Sequence, residues 1–272
     1  MLRGFYTAAA GMMANQRRQE TLSNNMSNAY TPGYKADQGV MRAFPEMLME
    51  RMDSASIPTS HGTKLPVKQT LGSLNTGVYM QEAVPDFSQG DVRETGVGTD
   101  LALINGRLPD EDGFLFFNVQ NEAGEERFTR DGNFTVDGEG FLTTNQGYYV
   151  LNNAGNPIQT DNMDFTVSED GQLNVNGQQI PLGISYTANA TDMMKDGNGL
   201  YQPGADADPL VNARTTADFQ IQQKALEGSN VDPAKTMTEM MNTYRSFEMN
   251  QRVLKAYDQN MEKAVTEIAR IR

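Results

Sequence analysis

The chain has 272 residues, with 35 acidic against 22 basic side chains, one histidine, no cysteine and a formal net charge of −13. Disulfides, thiol nucleophiles and zinc–thiolate centres are excluded, and the lone His61 leaves a Ser-His-Asp triad or a multi-histidine metal site almost nothing to draw on. The acidic balance argues against nucleic acid as a partner, and no stretch approaches the roughly 18–20 apolar residues that direct membrane insertion of a helix requires.

Charge is uneven: residues 1–35 carry +3 and residues 232–272 carry +1, which leaves −17 for the middle. The opening imitates a signal peptide with Arg3 and Ala8-Ala9-Ala10, but its apolar run is broken by Gly4, Thr7 and Gly11. It is too short and too polar for a secretory core, so any export is expected to need no cleaved signal. From Leu2 to about Asn28 the pattern predicts a helix, with Phe5, Ala9, Met12, Leu22 and Met26 on one face. Gly4 and Gly11 each weaken it by about 1 kcal/mol relative to alanine. Thr31-Pro32-Gly33 ends it, since Pro32 cannot continue the helical ladder. Residues 1–35 are read as an axial helix and turn.

Residues 36–84 read as a connector, mobile in part. Within it Phe44–Met49 suggests a short helical opening, followed by a Ser/Thr/Pro-containing run through His61. Residues 85–210 read as a compact antiparallel β domain. Asp112-Gly113, Asp131-Gly132, Asp137-Gly138, Asp170-Gly171 and Asn176-Gly177 are hairpin-type dipeptides between short apolar runs such as Phe114–Val119. Residues 211–272 are read as a strand or turn and a second long axial helix that pairs with residues 1–35. Asp232-Pro233 is a capping residue followed by proline at the first helical position. Met240, Phe247, Leu254, Met261 and Ile268 then recur every seven residues, with no glycine or proline after Ala234. Their companion row is read as Met237, Tyr244, Gln251, Asp258 and Val265, polar in its middle. About 38 helical residues extend roughly 55–60 Å, and an unbroken heptad seam of that length is coiled-coil-like. The predicted fold class is α+β: paired long terminal helices around a central, mostly antiparallel β domain.

The search for chemistry returns little. Gly96-Val97-Gly98 lacks the third glycine of a dinucleotide loop, and Asp131–Gly138 has Val136 where a calcium loop requires glycine. The carboxylate pairs Glu111-Asp112, Glu125-Glu126 and Glu169-Asp170 flank turns, where a solvated acidic face is the simplest reading. No catalytic residue, cofactor or metal site is expected.

Leu22-Ser-Asn-Asn-Met-Ser-Asn-Ala-Tyr-Thr-Pro-Gly-Tyr-Lys35 resembles the N-terminal signature of flagellar rod, hook and hook-associated proteins. Ala225-Leu-Glu-Gly-Ser-Asn-Val-Asp232 and the helix Met237–Asn250 are similar to the same family's C-terminal signature. Asp100-Leu-Ala-Leu103, Phe128–Phe134 and Gly140–Thr143 are similar to its β-domain pattern, although Arg107–Asp112 intervenes where the family runs almost directly from one strand to the next. The resemblance implies a non-enzymatic axial subunit of the flagellar basal body, a rod protein by its size. Its terminal helices would line a central channel and its β domain would lie outside.

Implied partners are other copies of this chain, other rod and hook proteins, and the type III flagellar export apparatus. The implied assembly residues are Phe5, Met12 and Leu22 of the first helix and Met240, Tyr244, Phe247, Asn250, Leu254, Met261 and Ile268 of the last. At the signatures they are Asn24, Asn25, Asn28, Thr31, Pro32, Gly33 and Tyr34, with Ser229 and Asn230. Two rival readings stay open: a hook, junction or cap component, and a β domain that binds or cleaves cell wall.

Overall fold

The computed structural model describes residues 2–56, 64–205 and 207–270; His61 lies outside them. Helix α1 (Leu2–Ser27) is followed by strands β1 (Asp37–Ala43), β2 (Met47–Ser56), β3 (Lys64–Leu74) and β4 (Val78–Pro85). Then come β5 (Val92–Glu94), β6 (Leu101–Asn105), β7 (Phe114–Gln120), β8 (Glu126–Thr129), β9 (Phe134–Val136), β10 (Leu142–Thr144) and β11 (Tyr149–Val150). They are followed by β12 (Thr166–Val167), β13 (Gln172–Val175), β14 (Gln178–Pro181), β15 (Ile184–Thr187), β16 (Met193–Gly197) and β17 (Leu200–Pro203). Strand β18 (Val211–Asn212), the single-turn helix α2 (Ala213–Thr216), β19 (Phe219–Gln223), β20 (Ala225–Glu227) and helix α3 (Pro233–Ala269) complete the chain. The class is α+β.

Two compact units result, one of Met1–Ser23, Gly39–Ala83 and Met237–Arg272, the other of Asn24–Gln38 and Val84–Thr236. In the first, β2 and β3 pair antiparallel from Met47↔Leu74 to Ser56↔Lys64. This corrects the expected helical opening at Phe44–Met49. Pro45 withholds a backbone donor, and Met47, Leu48 and Met49 pair across a ladder with Leu74, Ser73 and Gly72, partners far along the chain that local propensity cannot register.

The second unit is built on a nine-stranded antiparallel sheet in which β8 pairs one edge of β7 while β15 and β11 share the other. Leu115, Phe117 and Val119 of β7 enter one buried cluster with Leu103, Phe134 and Ile184, while Phe114 and Phe116 enter a second with Phe128, Met193 and Tyr201. Successive side chains of a strand point to opposite faces. Both faces of β7 are covered, so its sequence is a continuous apolar run instead of an alternation. Each fully buried side chain of this size contributes about 1.5–3 kcal/mol.

Of the five turn dipeptides, Asp137-Gly138, Asp170-Gly171 and Asn176-Gly177 lie between paired strands: β9–β10, β12–β13 and β13–β14. Asn176 and Gly177 both take positive φ, 51° and 83°, as a two-residue hairpin of this twist demands. Asp112-Gly113 and Asp131-Gly132 close no hairpin. Gly132 sits where any Cβ would collide with the Leu101 carbonyl oxygen, and its own carbonyl accepts from Leu101 N at 3.0 Å. The β7–β8 hairpin closes on the exposed turn Glu122–Gly124, where Asn121 N donates to Glu125 O at 3.0 Å and Glu125 N to Asn121 Oδ1 at 2.8 Å.

Candidate functional site

The last turn of α1 and the first turn of α3 both belong to the β-rich unit. At the α1 end, Asn28 Nδ2 donates to the Asn24 carbonyl at 3.0 Å and to Asn24 Oδ1 at 2.7 Å. The Asn24 carbonyl, which also accepts from Asn28 N at 3.1 Å, is thus held twice at the helix end. Thr31 Oγ1 donates to Asn28 Oδ1 at 3.2 Å. Asn25, only 5% exposed, reaches outward. Its Nδ2 donates to Asp37 O at 2.8 Å, and its Oδ1 accepts from Asp37 N at 2.9 Å and Tyr34 Oη at 3.1 Å. A side-chain amide presents one donor and one acceptor side by side, which is what a single backbone residue needs. At the α3 end Asp232 Oδ1 accepts from Ala234 N at 2.9 Å and Lys235 N at 3.1 Å, a helix cap with proline next to it.

Between these two roots lies a buried ion cluster drawn from three distant segments. Lys35 comes from the first signature, Arg130 from Phe128–Phe134 and Glu227 from the second signature; all three are at most 2% exposed. Lys35 Nζ donates to Glu227 Oε1 at 2.6 Å and to Ser88 O at 2.8 Å. Arg130 Nε donates to Glu227 Oε2, while its terminal nitrogens go to Leu115 O at 2.7 Å, Leu103 O, and Asn105 Oδ1 at 2.9 Å. Both cations lie over the Phe114 ring, 4.9 and 4.5 Å from its centroid. Gly90 N adds a third bond to the carboxylate at 2.9 Å.

Burial alone pushes the Glu227 carboxyl up, but Arg130 and Lys35 outweigh it and hold it below the usual carboxylate range. Burial pulls the Lys35 ammonium down to about 8 against the opposing pull of Glu227. Burial likewise lowers Arg130.

The backbone closes over the cluster. Gly33 N donates to Glu227 O at 2.9 Å with φ of 66°, and a Cβ there would meet the Arg130 carbonyl carbon at 2.5 Å. Only glycine combines that conformation with that approach. Asn230 ties the other side: its Oδ1 accepts from Ala36 N at 2.7 Å and its Nδ2 donates to Asp86 O at 2.7 Å. Lys195 Nζ bonds Asp37 Oδ1 at 2.7 Å and Lys35 O at 2.8 Å, 4.3 Å above the Tyr34 ring. Ser229 Oγ accepts from Val231 N at 3.2 Å. A groove of about 610 Å³ runs alongside, between Ala29, Tyr30 and Pro32 on one wall and Leu226–Pro233 on the other.

In the helical unit α1 and α3 touch in opposite senses. A Cβ at Gly4 would fall on the Tyr257 hydroxyl and one at Gly11 on the Asn250 amide, and Arg18 pairs with Glu239 at 3.4 Å. Among the residues read as the assembly set, Phe5, Met12, Met240, Phe247, Asn250, Leu254 and Met261 are half-buried and Leu22 is buried. The side chain of Ile268 lies outside the described residues.

The companion row differs from the expected one. Met237, Tyr244 and Val265 are 57%, 50% and 68% exposed, while Thr243, Asn250, Tyr257 and Ala264 turn inward. The glycines that weaken α1 locally admit the bulkier α3 side chains, and that selects the inward row. Glu111, Asp112, Glu125, Glu126, Glu169 and Asp170 are all exposed.

Asn25, Gly33, Tyr34 and Asn230 from the expected set therefore meet at the joint. Lys35, Arg130 and Glu227, its centre, were not in that set. Their signal is a charged residue embedded in each of three motif segments, but nothing in the sequence pairs them.

The family profile described as "Flagella basal body rod protein" matches residues 5–35, "Flagellar hook protein FlgE/F/G D1 domain" matches 112–175, and "Flagellar basal body rod FlgEFG protein C-terminal" matches 222–267. The three segments that meet at the joint thus lie in or beside three separately matched regions. The flagellar hook-basal body complex protein FlhO of Bacillus subtilis is 43% identical over 278 aligned positions, covering 100% of both chains. The flagellar basal-body rod protein FlgF of Caulobacter vibrioides is 30% identical over 98% of this chain and 96% of its own, and the rod protein FlgG of Borreliella burgdorferi 28% over 95% and 96%. With likeness running the full length of the chain and through every motif segment of the joint, the chain belongs to the flagellar basal-body rod and hook protein family and is a structural component of that assembly.

Proposed function

We propose that this chain is a non-enzymatic rod subunit. Its terminal helices pack against those of neighbouring copies and of other rod and hook proteins, forming the hollow shaft that transmits torque and conducts export. It reaches that site through the flagellar export apparatus without a cleaved signal. The observation that supports this reading best is the apolar surface left over once α1 and α3 have met. Met237, Met241 and Tyr244, 57%, 48% and 50% exposed, fall at i, i+4 and i+7 on α3, and Tyr6 and Met13 fall seven apart on α1, both exposed. Residues at these spacings share one helix face, and a continuous apolar face of this kind marks an interaction site. Head-to-tail contacts that do not close into a ring give an open helical shaft.

The test is Tyr244→Asp. Being exposed, it leaves the monomer folded by circular dichroism, and it is expected to abolish motility and incorporation into basal bodies. A motile strain that carries it refutes the reading.

A further inference from the structure

The buried cluster at the centre of the joint holds two cations and one anion. Apart from Glu227, the partners of Lys35 and Arg130 are neutral: the carbonyls of Ser88, Leu103 and Leu115, the Asn105 amide oxygen and the Phe114 ring. Asp86 favours the Lys35 charge with smaller effect. The cations precede Glu227 in the chain by 192 and 97 positions. Each arrives on a different piece of structure: Lys35 on the segment after α1, Arg130 immediately after β8 and Glu227 at the end of β20.

A buried cation whose carboxylate is missing is strongly destabilising, whereas a complete bonded set is close to neutral. With Glu227 removed, Lys35 and Arg130 stand buried beside each other and beside the same ring. With Lys35 removed, Glu227 and Arg130 remain a bonded pair. The consequences of losing each member are therefore unequal in a way that hydrogen-bond counts do not anticipate.

From this asymmetry we infer that Glu227 is the latch of the joint: its arrival converts a repelling pair of cations into a bonded triad, so the segment around Lys35 and the segment around β20 dock onto the β domain together. A chain that has not yet placed its C-terminal signature cannot seat its N-terminal one. This property belongs to the folded subunit and stands whether or not the rod reading is correct.

The test is a two-by-two set on the full chain: native, Lys35→Met, Glu227→Gln and the double variant. Refolding is driven with trimethylamine N-oxide, which raises the stability of all four and gives a midpoint even for a variant unfolded in buffer. Lys35→Met is expected to make refolding harder in the native background, where it breaks a pair. It is expected to make refolding easier in the Glu227→Gln background, where it removes one of two uncompensated cations. A reversal of sign is the signature. If Lys35→Met hinders refolding in both backgrounds, or the double variant refolds no better than Glu227→Gln, the latch is refuted.

Amide exchange gives a second reading at Asp86, whose N–H bonds Ala36 O, and at Gly228, whose N–H bonds Asp91 O. In Glu227→Gln held folded by the osmolyte, both are expected to exchange faster together, by about tenfold or more, while Val119 in the sheet holds. Faster exchange at Gly228 with Asp86 unchanged refutes joint docking.

Discussion

Gly11 of α1 lies directly against the side chain of Asn250 on α3: a Cβ at Gly11 would come within 2.9 Å of Asn250 Nδ2. Seven residues earlier on α1, and seven later on α3, Gly4 faces Tyr257 in the same way. Gly11→Leu is therefore expected to cost about 1–3 kcal/mol through overpacking, despite leucine's better helix propensity. Urea denaturation followed by far-ultraviolet circular dichroism reads this. Asn250→Ala in the same chain is expected to restore part of the loss by freeing volume.

Asn25 and its neighbour Asn24 are chemically identical and differ in what they hold. Asn25→Ala strands both backbone groups of Asp37 in a half-buried setting and removes the shorter of the two Tyr34 hydroxyl bonds. The expected loss is about 1–3 kcal/mol in the denaturation midpoint. Asn24 is exposed, and its replacement by alanine is expected to stay within about 0.5 kcal/mol.

Gly33 and Gly147 separate backbone conformation from close approach. Both have positive φ, 66° and 88°, but only Gly33 has atoms within reach of an added Cβ. Gly147→Ala is expected to show the backbone cost alone, about 1–3 kcal/mol. Gly33→Ala is expected to exceed it, because Arg130 and Asp131 must move. Equal melting shifts in the two variants would contradict the approach geometry.

Asp131 supplies a pH dependence. Burial raises its carboxyl to about 6, against the opposing Asn133 N–H and aided by Asp100. A carboxyl raised on folding stabilises the native state fully below its unfolded value and loses that contribution as pH rises through about 6. The native chain is therefore expected to lose stability relative to Asp131→Asn between pH 4 and 7, by on the order of 2 kcal/mol. Paired denaturation curves across that range check it, and a difference independent of pH would refute it.

Both long helices were legible in the sequence because their signals are local. Pro32 stops α1, Asp232-Pro233 starts α3, and each carries its own apolar periodicity. The β hairpins at Asp137, Asp170 and Asn176 were legible for the same reason, since a turn needs particular residues in a row. Strand β2 was not, because Met47-Leu-Met-Glu suits a helix equally well and only its pairing with β3 decides. The inward row of α3 was ambiguous between steps of three and four, and Gly4 and Gly11 on another helix resolve it. Least legible was the joint. Asn25, Gly33, Tyr34 and Asn230 stood out as turn and signature residues. Lys35, Arg130 and Glu227 become a unit only when segments nearly two hundred positions apart are brought together.

The β7–β8 turn offers a practical use. Its tip, Glu122–Gly124, is exposed, its backbone bonds run only to residues within the hairpin end, Gln120–Glu125, and inserted sequence is tolerated best where the backbone makes only such local bonds. A fluorescent or epitope tag spliced there would leave both chain ends native, making this tip the preferred labelling point for following the protein in living cells.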